Sequence, residues 1–144
     1  MISNGRAGSS PAPSTCCCLI NIHYTMRRIS LDVSKEAVAL GILEVLKVSP
    51  SDVPCASAYG SEKLPASDLV TVYPLPYQED LRQMLFMTTG LFVAVTMDRR
   101  SASGYFHWDL FDHGALVSYS GVRYFEHYDD VLADGLQEAF RLLK

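Results

Sequence analysis

The densest group of chemically active side chains in the sequence is the run HWDLFDH, which ends at His113. Alternate residues of a β-strand share one face, so His107 and Asp109 are expected to point in the same direction. Such a pair can chelate a metal ion or exchange a proton with a substrate, and Asp112 or His113 could complete the set. The same alternation describes a sheet whose apolar residues enter the core while His107 and Asp109 lie outside. That structural role is favoured, and a small metal- or His-dependent hydrolase centred on His107 and Asp109 is the alternative.

No second motif supports an enzyme. The sequence contains none of the patterns GxGxxG, GxxxxGK[ST], GxSxG or HExxH, which mark nucleotide, serine-hydrolase and zinc sites. Cys16, Cys17 and Cys18 are adjacent and Cys55 stands alone, so there is neither a CxxC pair nor a disulfide framework. We therefore expect no catalytic residue, no metal ligand set and no cofactor, and a binding protein is favoured over an enzyme.

Aromatic residues are concentrated late in the chain. Eight of the fifteen (eight Tyr, six Phe and one Trp) lie between Tyr105 and Tyr128. A small sheet cannot bury all of them, and exposed Tyr side chains are enriched at protein interfaces. We predict a binding surface on the outer face of the sheet and the acidic side of the last helix. Its candidate residues are Tyr105, Phe111, Tyr119, Tyr124, Tyr128, Asp130 and Asp134.

The charge of the chain limits its partners. The net charge is −4, and from Pro76 to Lys144 there are six basic against ten acidic residues. Binding to nucleic acid depends on clustered Lys and Arg, so a nucleic-acid partner is unlikely. A weaker alternative is an acidic mimic of nucleic acid, which would occupy a basic groove. The apolar runs are far shorter than the roughly 20 residues of a membrane span. We expect a cytoplasmic protein that binds another protein, with a homo-oligomer possible.

The chain divides into a tail and one predicted α+β domain. Residues 1–25 lack apolar periodicity and are expected to be disordered or loosely attached, and Met26 could be the natural start. Residues 26–144 are expected to form the domain, which begins with a β–α unit over 26–49. In that unit a strand is predicted over Arg28–Val33 and a helix from the N-cap Ser34 to Ser49. Four prolines make residues 50–75 mostly loop, with one short strand over Leu69–Tyr73.

Residues 76–144 are predicted to form an α–β–β–(β)–β–α unit. The first helix starts near Gln78, buries Leu81, Met84 and Leu85, and stops at Gly90. The predicted strands are Leu91–Met97, Tyr105–Phe111, Leu116–Tyr119 and Val122–Phe125, with a hairpin loop over Asp98–Gly104. Together they should form a small antiparallel sheet that helices cover on one face.

The last helix, predicted from about Asp129 to Leu143, has two distinct faces. Its apolar face carries Leu132, Leu136, Ala139, Phe140 and Leu143. Asp134 lies on the polar face, so its replacement by Ala is expected to leave stability almost unchanged.

The C-terminal pattern GxxYFxxYDDxLxxGLxEA, which starts at Gly121, covers 19 of the 144 residues. It resembles the C-terminus of small uncharacterised proteins encoded by bacteriophages and other mobile elements. The resemblance implies a viral or mobile-element context, in which short acidic proteins often act by binding host or defence proteins. Taken with the aromatic cluster, it favours a non-enzymatic protein-binding module that inhibits such a protein.

Overall fold

The computed structural model describes residues 26–54, 57–97, 105–121 and 125–144. These residues contain three α-helices and two three-stranded antiparallel sheets, so the predicted α+β class is confirmed. The expected tail, residues 1–25, and the expected hairpin loop, residues 98–104, lie outside the described residues. The elements in chain order are α1 Leu31–Ala39, β1 Leu46–Val48, β2 Tyr59–Lys63, β3 Val70–Pro74, α2 Gln78–Thr89, β4 Leu91–Met97, β5 Phe106–Asp112, β6 Ala115–Tyr119 and α3 Tyr128–Leu143.

Helix α1 corrects the predicted β–α unit. Ser30, not Ser34, is its N-cap, and the Ser30 hydroxyl accepts a hydrogen bond from the Val33 amide at 3.2 Å. The helix therefore occupies the second half of the predicted strand. The stabilisation of a helix start by the Ser30 N-cap outweighs the polar–apolar alternation that predicted a strand. It ends ten residues before Ser49. Gly41 adopts a left-handed conformation (φ 80°), and the Ala37 and Val38 carbonyls accept the amides of the next turn, as in a Schellman motif.

The first sheet has strand order β1-β3-β2. Strands β2 and β3 occupy the segment predicted to be mostly loop, and β1 lies where the helix was predicted to continue to Ser49. The predicted strand over Leu69–Tyr73 corresponds to β3, but β1 and β2 were not expected. Strand β2 has the sequence YGSEK, which is poor in β-forming residues. It is a strand because it pairs with β3 along its whole length, from Tyr59 opposite Pro74 to Lys63 opposite Val70.

Helix α2 follows the prediction at both ends but not on its buried face. It runs from Gln78 to Thr89, and Gly90 caps it with φ 82°. Leu81 and Leu85 are fully buried as expected, whereas Met84 is 40% exposed. At 100° per residue the buried face is centred between Leu81 and Leu85, so Gln78 completes it and Met84 lies to one side.

The second sheet has strand order β4-β5-β6, and a tight turn joins β5 to β6. His113 (φ 50°) and Gly114 (φ 88°) form this turn, which places Asp112 opposite Ala115. Two consecutive positive φ angles are typical of a type I′ hairpin. Of the predicted strand over Val122–Phe125, only Phe125 lies within the described residues. It makes an isolated bridge with Phe106.

Helix α3 covers one face of the second sheet, which we call the inner face. Val93, Trp108 and Leu110 on this face are at most 2% exposed. Four residues of the predicted apolar face of α3 are also at most 2% exposed, namely Leu132, Leu136, Ala139 and Phe140, and the fifth, Leu143, is half-buried. Gly135 lies where a Cβ atom would be 2.5 Å from Val93 Cγ1, so a glycine lets α3 approach the sheet closely.

Buried apolar residues in and around α1 join the core of the C-terminal part in one cluster. Ile29, Ala37, Ile42 and Leu43 belong to it together with the inner face of the second sheet and the apolar stripe of α3. A salt bridge between Glu36 and Lys144 also joins α1 to the C-terminus. Among the described residues, no helix has the length and apolar character needed to cross a bilayer.

Candidate functional site

The outer face of the second sheet, opposite α3, carries a row of apolar side chains. The strand register places Phe92 beside Phe111 and Phe111 beside Leu116, one residue from each strand. Cross-strand neighbours on one face contact each other, so the three form a continuous stripe. Phe92 and Phe111 are half-buried and Leu116 is 54% exposed. A sheet with one packed face and one open apolar row has a surface available for contact.

The C-terminal half of α2 extends this row into a groove. The Phe86 ring meets the Phe92 ring edge to face, with centroids 5.6 Å apart, and the Arg82 guanidinium lies 5.3 Å from the centre of the Phe92 ring. Next to them Met87 is 76% exposed. The groove has a volume of about 870 Å³, and we call it the apolar groove. It is lined by Gln83, Phe86, Met87, Thr88, Thr89, Gly90, Phe92, Phe111, His113 and Gly114.

One end of the apolar groove is built around His113. Its imidazole lies against the backbone of Gly90, where an added Cβ would be 2.4 Å from the ring. The His113 amide donates to the Gly90 carbonyl at 3.0 Å, and its Nδ1 lies 2.6 Å from Asp112 Oδ1. Gly90, which ends α2, therefore contacts His113, which lies in the turn between β5 and β6. Both residues have a left-handed backbone conformation, and together they close the groove on this side. Among the described residues that line the groove, only His113 can carry a charge.

Two carboxylates flank the apolar groove without a strong cationic partner. Asp109 shares the outer face with Phe111 and lies 3.9 Å from His107 Nε2, while Asp112 contacts His113. Within the described residues, neither aspartate forms a salt bridge with Lys or Arg. This edge of the groove therefore presents carboxylates that no described Lys or Arg neutralises.

His107 and Asp109 do share a face, as the sequence predicts, but their surroundings do not build a catalytic site. Their side chains are 28% and 31% exposed, and the 3.9 Å between Nε2 and Oδ2 exceeds hydrogen-bond length. His107 Nδ1 is buried and has no hydrogen-bond partner in the described part of the chain. The described residues also contain no group of three or more His, Cys, Asp or Glu side chains placed to hold a metal ion.

The predicted binding residues divide between the two faces of the sheet. Phe111 lines the apolar groove, and Tyr119 is 64% exposed on the same outer face, paired with Asp109. Tyr105 is half-buried. Tyr124 lies outside the described residues. The structure thus brings Phe111 and Tyr119 to one surface, beside groove residues that the sequence did not single out.

The remaining candidates lie with α3 on the inner side. The Tyr128 ring packs edge to face on Phe106 at 5.9 Å and contacts the core, so it belongs to the packing of the fold. Asp130 is exposed and pairs with Arg27 at 2.9 Å. Asp134 Oδ2 accepts a hydrogen bond of 2.7 Å from the Trp108 indole. The expectation that Asp134 is a neutral surface position is therefore wrong.

The acidic side of α3 is already matched by cations of the same chain. Glu138 is bound by Arg141 and accepts a hydrogen bond from the Ser118 hydroxyl. Burial raises the pKa of the Asp129 carboxyl, and nearby Arg27 only partly opposes this effect. A mimic of nucleic acid needs carboxylates free to meet a basic partner, so these contacts argue against that alternative.

Sequence reasoning missed Phe86, Met87, Phe92 and Leu116. One signal was present, because Leu85-Phe86-Met87 is wider than the stripe that a single helix face can bury. Phe92 and Leu116 gave no signal of their own. Which face of a strand is covered depends on the packing of distant elements, and only the fold shows that α3 covers the other one.

Comparison with protein-family models, with curated proteins and with solved structures finds no match to this chain.

Proposed function

We propose that this chain is a non-enzymatic protein-binding module whose contact surface is the apolar groove and the adjoining outer-face row. The observation that carries this proposal is the continuous exposure of apolar side chains around an uncharged groove. Met87 is 76%, Leu116 54% and Phe86 43% exposed there. Interface centres are enriched in aromatic residues and Met and depleted of charge, which matches this composition. Contiguous exposed apolar surface on a small protein also marks interaction sites.

The side chains that line the apolar groove are better suited to binding a protein partner than to catalysing a reaction. Catalysis by a nucleophile needs a base within hydrogen-bond reach of it. The hydroxyls among the described lining residues are those of Thr88 and Thr89, and the Thr89 hydroxyl donates to the Leu85 carbonyl at 2.7 Å rather than to His113. Met87 is flexible and polarizable, and such residues adapt to a partner's side chains. The rim supplies Gln83 and Thr88, whose side chains can hydrogen-bond a partner's backbone.

The biological setting is the second part of the proposal. We propose that the protein acts in the cytoplasm as a bacteriophage or mobile-element inhibitor of a host or defence protein. Support for this setting comes from the C-terminal pattern that begins at Gly121. Small inhibitors work by covering a functional surface, for which an apolar groove of about 870 Å³ offers an anchoring point.

The proposal can be tested by identifying partners with a groove variant as the control. The full-length protein and its Met87→Glu variant are immobilised and exposed to host lysate, and bound proteins are identified by mass spectrometry. A charge in the centre of an apolar contact is strongly unfavourable, so Met87→Glu should weaken the captured complex at least about tenfold. Because Met87 is mostly exposed, the melting temperature of the variant should be nearly that of the parent.

A matched variant separates the groove from general stickiness. Leu64 is 54% exposed and directly follows β2, a strand of the first sheet. Leu64→Glu makes the same kind of change away from the apolar groove and should leave the affinity unchanged. If Leu64→Glu and Met87→Glu behave alike in measured Kd, the groove is not the binding surface.

A further inference from the structure

We infer that the partner presents a basic apolar segment to the apolar groove, in which an aromatic or long aliphatic anchor is followed closely by Lys or Arg. This inference rests on the proposed function and adds the chemistry of the partner. The inference comes from the position of two carboxylates, those of Asp109 and Asp112, beside the uncharged lining of the apolar groove. The groove takes an apolar side chain, and the two aspartates at its edge take a cation.

The distances fit one short segment. Phe111 lines the groove, and Asp109 is the next residue of β5 on the same face. Two residues of a strand span about 7 Å, which is within the reach of a Lys or Arg side chain beside the anchor. Asp112 directly follows Phe111 and contacts His113 in the groove wall. A basic residue beside the anchor therefore meets Asp109 on the outer face, whereas Asp112 alternates to the other face of β5 and reaches the groove wall through its contact with His113.

The contrast with α3 makes these two aspartates distinctive. On α3, Glu138 is bound by Arg141 and Asp130 by Arg27, so their charges are met within the chain. Among the described residues, the basic side chains that contact Asp109 and Asp112 are histidines, not Lys or Arg. Their side chains are 31% and 49% exposed. They can therefore accept a cation from outside, and the net charge of −4 favours the approach of a basic partner over an acidic one.

The experiment uses a random peptide library displayed on phage, with the full-length protein as bait. Selection is run in parallel on the parent, on Met87→Glu and on the double variant Asp109→Asn/Asp112→Asn. Asn keeps the shape of Asp and removes only its charge, so the double variant should fold as the parent does. Enriched peptides are then synthesised and their Kd values measured at about 50 mM and about 500 mM salt.

The inference predicts peptides with an aromatic, Leu or Met anchor next to Lys or Arg. Their affinity should fall about five- to tenfold with Asp109→Asn/Asp112→Asn and also with added salt, because exposed charge pairs are screened. Met87→Glu should abolish their binding. Peptides that bind the groove through an apolar anchor alone, with no loss in the Asn double variant, would overturn the inference and leave the proposed function standing. Peptides unaffected by Met87→Glu would overturn both.

Discussion

At the scale of single residues, the contact between Asp134 and Trp108 shows how a surface position becomes structural. The Trp108 side chain lies on the inner face and is buried against α3. A buried indole N–H needs a hydrogen-bond acceptor. Asp134 supplies that acceptor at 2.7 Å. The carboxylate therefore belongs to the packing of the core although it lies on the polar side of its helix.

We predict that Asp134→Ala lowers the free energy of unfolding by about 1–3 kcal/mol, since it removes a charged acceptor and leaves a buried donor unpaired. Asp130→Ala, one turn earlier, serves as the control. Its ion pair with Arg27 joins two side chains that are each about half exposed, so the loss should not exceed about 1 kcal/mol. Urea denaturation followed by circular dichroism measures both. Equally small losses would show that the indole gains nothing from Asp134.

At the scale of elements, the packing of α3 on the second sheet depends on Gly135. Glycine in a helix normally costs about 1 kcal/mol relative to Ala, so Gly135→Ala would ordinarily be stabilising. Here the added methyl would lie 2.5 Å from Val93 Cγ1 and 3.2 Å from Trp108 Cγ. Both neighbours are short or rigid and fully buried, so the helix or the sheet would have to shift.

We predict that Gly135→Ala destabilises the protein by about 1–3 kcal/mol, because overpacking outweighs helix propensity. A double-mutant cycle with Val93→Ala checks the cause. Removal of the Val93 methyl groups makes room, so Gly135→Ala should cost less in that background, with a coupling energy of about 0.5–3 kcal/mol. Strictly additive effects in denaturant unfolding would locate the cost elsewhere.

At the scale of the whole molecule, the segment around α1 and the second sheet share one core, whereas the buried residues of the first sheet, Val70 and Val72, are not part of it. Ile29, Ala37, Ile42 and Leu43 come from the first part of the chain and pack in the cluster that encloses Trp108. A protein with a single such cluster is expected to unfold in one step.

We therefore predict that thermal unfolding is one cooperative transition. The fluorescence of Trp108, the single tryptophan, reports on the second sheet, whereas far-ultraviolet circular dichroism reports on all three described helices. The two signals should give the same midpoint and the same van't Hoff enthalpy. An earlier transition seen only by circular dichroism would mean that the region around α1 unfolds separately.

Local signals were sufficient for the C-terminal part of the fold. Helix α3 is long and strongly amphipathic, and its periodicity alone predicted Leu136 and Phe140 to be buried, as they are. Gly90 ended α2 as expected because few other residues adopt its left-handed conformation. The bounds of β4 and β5 were predicted to within about one residue. Both segments are rich in β-branched and aromatic residues, which favour strands over loops.

The first part of the chain was less predictable because its elements depend on distant pairing. The strand over Arg28–Val33 was wrong, since the Ser30 cap starts a helix there instead. Strand β2 has no intrinsic β signal, and its backbone is held by β3. Pairing of this kind is decided by the register of a neighbouring strand, which a local window of sequence does not contain.

The sequence by itself determined the α+β class, the apolar stripe of α3 and the shared face of His107 and Asp109, because each depends on a periodicity of two or of 3.6 residues. Tertiary structure alone decided which side of the second sheet is covered and that Phe86, Met87, Phe92 and Phe111 meet in one groove. It also turned Asp134 from a surface residue into a partner of Trp108. The physical reason is that burial and polar pairing are properties of contacts between elements, and those contacts exist only once the chain is packed.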